Sequence, residues 1–220
     1  MLKHSLFQAI LDRGMVAIVR ADSADAALRL AEACIAGGMD ALEIAFTTPD
    51  TLEVIKELRQ RHGEKVLLGA GTVLDAETAR LAILAGAKFI ISPNVNADTI
   101  RMCQRYQVLA MPGAMTPTEI LAALEAGADI IKIFPAEAFS PAYVKALRAP
   151  LPQAPLMPTG GVTLENLHQW FENGAVAVGI GGSLTGPAAK GDYSAVTAKA
   201  SAFVQRMAEI RKTPSASRYP

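Results

Sequence analysis

The sequence predicts an α/β fold, a (β/α)8 TIM barrel with an N-terminal capping helix. Three observations lead there. A chain of 220 residues has the length of a single α/β barrel. Hydrophobic residues make up 51% of it and aromatics only 5%, a balance that favours helices packed on a buried parallel sheet over a β-sandwich. One theme also repeats: a helical stretch ends in a small-residue turn, and a short apolar strand follows. The clearest turns are Ala36-Gly37-Gly38, Ala85-Gly86-Ala87, Ala126-Gly127-Ala128 and Asn173-Gly174-Ala175. Glycine is the expected helix C-cap there, because it takes the left-handed conformation without steric cost.

The elements follow in order. In the opening MLKHSLFQAILDRGM, Leu6, Phe7, Ile10 and Leu11 recur at helical spacing, so Ser5–Leu11 is expected to form an amphipathic helix capping the barrel bottom. Strands are expected at Val16–Arg20, Ala41–Phe46, Val66–Ala70, Phe89–Ser92, Val108–Pro112, Ile130–Phe134, Pro155–Thr159 and Ala177–Ile180. Helices fill the gaps at Ala24–Ala36, Thr51–Arg61, Ala76–Ala85, Ala97–Arg105, Pro117–Glu125, Pro141–Leu147, Leu164–Glu172 and Tyr193–Ile210. Start signals fit several of them: Asp75 before Ala76, Thr116-Pro117, and Thr163 three residues before Asn166. An open doubly wound sheet is the competing arrangement for the same alternation. No linker or shift of composition divides the chain, so residues 1–211 are read as one domain. Lys212–Pro220, polar and broken by prolines, is expected to be a disordered tail.

Composition also excludes function classes. Formal net charge is +0 and no basic block occurs, so a nucleic-acid partner is not expected. The N-terminus lacks the uninterrupted apolar core of a signal peptide, and no later segment is long and apolar enough to span a bilayer. The expectation is a cytoplasmic protein without a membrane partner. Cys34 and Cys103 lie far apart in expected helices and read as reduced thiols in or near the core, against a disulfide or ligand role.

Barrel enzymes carry their chemistry at the C-terminal ends of the strands. Strand side chains alternate, so Lys132 shares a face with the apolar Ile130 and Phe134. A lysine in such company loses hydration of its ammonium form, which makes free amine available for attack on a carbonyl and Schiff-base formation. The competing reading is a strand-end lysine whose amine snorkels to water. Glu43 shares its face with Ala41 and Ala45, small residues that leave space inside the barrel. It could shuttle protons for a bound carbonyl compound, or simply pair with Lys132 as a buried ion pair. Gly160-Gly161 after strand seven and Gly181-Gly182-Ser183 after strand eight stand where barrels commonly bind phosphate through bare backbone amides. A plain turn is the alternative for each glycine pair. Arg20 ends strand one and could hold a substrate anion, or serve a surface ion pair. His4, His62 and His168 all fall away from strand C-termini, so no metal site is expected on the catalytic face, and no cofactor is expected.

These strand ends resemble those of the 2-keto-3-deoxy-6-phosphogluconate (KDPG) and 4-hydroxy-2-oxoglutarate (KHG) aldolases, over roughly Ala17 to Arg206. The carriers are LEIAFTT from Leu42, GAGTV from Gly69, ISPN from Ile91, MPGAMTPTE from Met111, KIFPAE from Lys132, PTGGV from Pro158 and GIGGS from Gly179. The resemblance implies a (β/α)8 barrel, a homotrimer, and a metal-independent lyase that cleaves a small keto-acid substrate to pyruvate and an aldehyde. It further implies that Lys132 is the Schiff-base lysine and Glu43 the general acid/base. Thr72 and Thr159 would supply hydroxyls around the pyruvate carboxylate and the catalytic water. Pro93 and Phe134 would be apolar pocket walls, and Gly160, Gly161 and Ser183 part of the phosphate site. One position departs from the pattern: where well-known KDPG aldolases have arginine, as in LEVTLRT, this chain has Thr47. Arg20 is the expected substitute cation. The alternatives are a 2-keto-3-deoxy-6-phosphogalactonate aldolase, another phosphate-binding barrel enzyme, or a non-catalytic sugar-phosphate-binding barrel.

Overall fold

Helical and extended stretches alternate throughout the structure, a computed structural model that describes residues 2–212. Helix α1 (Lys3–Arg13) passes through a left-handed Gly14 into β1 (Met15–Val19). There follow α2 (Ala24–Ala36), β2 (Ala41–Ala45), α3 (Thr51–His62), β3 (Leu67–Gly71), α4 (Ala76–Ala85), β4 (Phe89–Ile91), α5 (Ala97–Tyr106) and β5 (Leu109–Met111). Next come β6 (Gly113–Ala114), α6 (Pro117–Glu125), β7 (Ile131–Ile133), α7 (Ala142–Arg148) and β8 (Leu156–Pro158). The chain closes with α8 (Leu167–Glu172), β9 (Val178–Ile180), the short α9 (Gly182–Thr185) and α10 (Tyr193–Lys212). Side chains cap the helices as their residue types dictate: Ser23 accepts from Ala26 N, Asp75 from Thr78 N, and Thr116 forms a reciprocal capping box with Glu119.

Every strand pair is parallel. One run of strands is β5-β4-β3-β2-β1-β9 and the other is β6-β7-β8. Two links close the ring. β5 and β6 are halves of one strand separated only by Pro112, and Thr159, just past β8, bridges in parallel to Gly179 of β9. The expected fifth strand, Val108–Pro112, is therefore broken and carried on beyond its expected end: proline has no N–H to give the ladder, while its carbonyl still accepts from Lys132 N at 2.9 Å. With eight strand positions closed on themselves, the competing open sheet does not apply.

Two cores result. The larger lies between strands and helices, holding Leu30, Ile44, Ile55, Leu68, Ile131, Leu156 and Phe203 among others. The smaller fills the barrel, where Val16, Ala41, Leu67, Phe89, Leu109, Ile130 and Met157 meet Leu6 and Ile10 of α1. α1 is the expected bottom cap, longer at both ends than Ser5–Leu11. A polar clasp secures it: Lys3 Nζ lies 3.0 Å from the Asp129 carboxylate and donates to Gln104 Oε1 at 2.5 Å. Asp129 also accepts from Ala110 N at 2.8 Å, yet burial is the stronger influence and pushes its carboxyl above the ordinary range.

Other boundaries move for local reasons. α8 starts at Leu167 rather than Leu164, since the Asn166 side chain accepts from Thr163 N and donates to Gly161 O, which binds it to the preceding loop. α10 runs on through Lys212, which the sequence assigned to a tail; residues 213–220 of that expected tail lie outside the described residues. Cys34 and Cys103 are free and fully buried, and burial pushes both thiols up to about 12. Among the described residues, no helix is long and apolar enough to cross a membrane.

Candidate active site

On three strands the barrel interior turns polar two residues beyond its apolar filling. Ala41 is followed on the same face by Glu43, Ile130 by Lys132, and Met157 by Thr159. All three polar side chains are buried, with exposures of 1% for Glu43, 5% for Lys132 and 2% for Thr159. β2 and β7 are not neighbours in the ring, yet both aim at its centre, and Lys132 Nζ comes within 3.9 Å of Glu43 Oε1. Lys132 does not snorkel to solvent; it lies deep in the barrel, with its ammonium 4.8 Å from the centroid of the Phe134 ring. Phe134 itself, one residue beyond β7, is 38% exposed.

The polar atoms are incompletely satisfied. Glu43 Oε2 and Thr159 Oγ1 are buried without a hydrogen-bond partner. Native interiors rarely leave such atoms unpaired, and a bound ligand or water is the usual resolution. Thr72, directly after β3, takes φ 57°, a left-handed backbone that a β-branched residue adopts only under constraint. Pro93, past β4, presses its carbonyl against Gly113, the residue paired with Lys132 across β6 and β7. Thr72 and Pro93 thus stand beyond the C-terminal ends of two adjacent strands, β3 and β4.

A cavity of about 760 Å³ opens above this centre. Arg20, Phe134, Thr159, Gly160, Gly161, Gly181, Gly182 and Ser183 all line it, so the strand-one, strand-seven and strand-eight candidates converge on one space. Arg20 makes no ion pair among the described residues, which leaves the surface-pair alternative without a partner. Gly160 and Gly161 take φ 99° and 70°, conformations that favour glycine and turn the backbone along the cavity wall. Ser183 Oγ is committed to Val162 O at 2.6 Å, so its hydroxyl ties two rim loops together.

Several cavity residues were not singled out from the sequence. Asp22, Glu137 and Tyr193 line the wall, but they sit in a loop, a single 3-10 turn and a helix start, where no periodicity marks direction. Thr48 is buried and its Oγ1 accepts from Ala21 N at 3.2 Å, which fastens the loop carrying Arg20 to the loop after β2. Its role is visible only once those two loops are side by side. Among the described residues, no group of three or more His, Cys, Asp or Glu side chains could hold a metal ion.

Comparison with known proteins gives a consistent picture. Residues 8–199 match the family model described as KDPG and KHG aldolase. The chain is 41% identical to the 2-dehydro-3-deoxy-6-phosphogalactonate aldolase of Escherichia coli strain K12, over 77% of this chain and 83% of that enzyme. It is 38% identical to the 2-dehydro-3-deoxy-phosphogluconate aldolase of Treponema pallidum strain Nichols, over 88% of this chain and 93% of the relative. Among solved structures, it resembles the KDPG aldolase of Legionella pneumophila, in which pyruvate was captured as a covalent carbinolamine intermediate. That match has a TM-score of 0.81 at 27% identity, covering 92% of this chain and 98% of the other.

Proposed function

The chain belongs to the KDPG and KHG aldolase family, and from that premise we propose that it is a class I aldolase acting through Lys132 on a 2-keto-4-hydroxy acid. The products are pyruvate with glyceraldehyde 3-phosphate from KDPG, or with glyoxylate from KHG. One observation carries the reading: a buried lysine and a buried glutamate, 3.9 Å apart, below a cavity lined by glycines and an unpaired arginine.

In this mechanism the Lys132 amine attacks the C2 carbonyl and forms a carbinolamine. Glu43 delivers the proton with which the C2 hydroxyl leaves as water, giving a protonated imine. The Glu43 carboxylate, having given up its proton, then takes the C4 hydroxyl proton, directly or through water, and the C3–C4 bond breaks. Its electrons flow into the imine, the aldehyde departs, and an enamine remains. Protonation at C3 and hydrolysis release pyruvate and restore the amine. Thr72 and Thr159 bond the pyruvate carboxylate and the water, while Pro93 and Phe134 wall the pocket. Arg20 and the backbone of Gly160, Gly161, Gly181, Gly182 and Ser183 take the substrate's distal anion. Borohydride added with pyruvate is expected to leave a stable adduct that maps to Lys132 and is absent from Lys132→Ala. An adduct elsewhere, or full activity in that variant, overturns the reading.

A second substrate is favoured by a specific observation. The 41% match is to a phosphogalactonate aldolase, and Thr47 stands where the motif resemblance leads one to expect arginine. Comparing kcat/KM for KDPG, its galactonate epimer and KHG decides among the three. We take the active form to be a cytoplasmic homotrimer of one barrel domain, residues 1–211. Leu74, Leu81 and Leu84 support association, being exposed on and beside α4. Sedimentation equilibrium is expected to give three times the 23.2 kDa chain mass.

A further inference from the structure

β3 contributes two glycines to the inner face of the barrel, Gly69 and Gly71, both buried and two positions apart. Neither has a left-handed backbone, so the requirement for glycine at each must come from a neighbour. The neighbours differ in kind. A Cβ on Gly69 would overlap the ring of Phe89, an apolar packing contact. A Cβ on Gly71 would overlap the Glu43 side chain, whose Oε1, Cδ and Cγ are the three nearest atoms. The β2–β3 register explains the second contact. Glu43 stands opposite Gly69, and a strand side chain leans along its strand, so its carboxylate reaches over the next inward position, Gly71.

At that spot Oε1 lies 3.9 Å from Lys132 Nζ, while Oε2 is buried without a hydrogen-bond partner. A buried carboxylate oxygen without a partner in the protein is one that substrate or water is left to satisfy. Thr159 repeats the arrangement: its partnerless Oγ1 would overlap a Cβ on Gly179. Both side chains that carry an orphaned polar atom at the barrel centre thus rest on a glycine of a nearby strand, Glu43 through its other oxygen, Oε1, and Thr159 through Oγ1 itself.

We propose that Gly71 is a positioning residue for the Glu43 carboxylate, its missing side chain forming the seat that keeps one oxygen beside Lys132 and the other open to substrate protons. The proposal rests on the reading of Lys132 and Glu43 as the reacting pair. Gly69 is the internal control, enclosed on the same strand face but seated against a ring instead of an acid.

The test uses the full chain and follows exchange of the pyruvate methyl protons with deuterated water, a half-reaction that needs the Lys132 imine and a proton carrier but no aldehyde. Gly71→Ala is expected to lose roughly 100-fold in exchange and in kcat, with KM changed by no more than a few-fold and borohydride trapping on Lys132 retained. Glu43→Gln should lose a similar factor, and the Gly71→Ala/Glu43→Gln double variant no more than either. Gly69→Ala should lower Tm while leaving the pH profile of kcat as in wild type. Exchange within a few-fold of wild type in Gly71→Ala overturns the proposal. So does a double variant that loses the product of the single factors, or a Gly69→Ala variant that shifts the pH profile equally. If Gly71→Ala does not fold, Glu43→Ala/Gly71→Ala should recover the Tm, because the overlap is removed; failure to recover also overturns it. Absence of trapping in the wild-type protein would instead sink the Schiff-base reading itself.

Discussion

At the bottom of the barrel, Leu67, Phe89, Leu109, Ile130 and Met157 close against Leu6 and Ile10 in one apolar cluster. Two residues beyond Ala41, Ile130 and Met157 stand Glu43, Lys132 and Thr159, and two of their oxygens have no partner within the protein. Backbone and register are continuous between the two regions, so the difference is purely one of side chains. The lower layer is satisfied and contributes stability. The upper layer holds buried polar groups without partners in the protein, an arrangement that a bound ligand or water completes.

Substitutions can break this comparison from either side. The largest effect is expected for Lys132→Ala, a loss on the order of 10⁴-fold or more in kcat, measured by pyruvate release coupled to lactate dehydrogenase. Its counterpart below is Phe89→Ala, expected to cost about 3–5 kcal/mol of stability by denaturant unfolding, while the folded protein keeps its kcat within a few-fold. Equal damage to kcat from both would erase the distinction between the layers. Arg20→Ala tests the outer end of the cavity: losing a charged hydrogen bond is worth about 1.5–3 kcal/mol, so KM for an anionic substrate should rise roughly 10-fold or more with kcat nearly kept. An unchanged KM would return Arg20 to the surface.

Two smaller effects sharpen the picture away from the site. Thr116→Ala removes half of a capping box and is expected to cost about 1 kcal/mol in thermal unfolding without touching kinetics. The clasp below the barrel gives a pH dependence. Burial holds the Asp129 carboxyl above its ordinary range in the folded state, so the folded protein keeps this proton to higher pH than the unfolded chain. The resulting stability is fully present below the unfolded carboxylate's pKa and is lost as pH rises through the folded one. Stability of Asp129→Asn should fall less across that acidic window, as read from urea midpoints at successive pH values.

Much of this was legible beforehand, for physical reasons specific to each residue. Lys132 was visible because a charge between isoleucines violates the pattern of a buried strand, and Glu43 because two alanines on its face leave room. The helix ends were visible through Gly86 and Gly174, which take the left-handed backbone expected of C-caps. The break in the fifth strand was written in Pro112, though only the neighbouring strand reveals that the ladder resumes at Gly113. The cavity-facing direction of Glu137 and Tyr193 was not legible, since one lies in a single 3-10 turn and the other at the first position of a helix, where no period points the side chain.

The sequence by itself determined the alternation of strands and helices, the inward faces and the unusual lysine, since these follow from periodicity and local conformational preference. Tertiary structure alone decided that Lys132 meets Glu43, that Thr72 takes a left-handed backbone, and that Gly71 is empty so that a carboxylate can lie on it. Those facts depend on ring closure and register between strands distant in the chain. Local preference carries no information about which residue from another strand will occupy the space a side chain leaves.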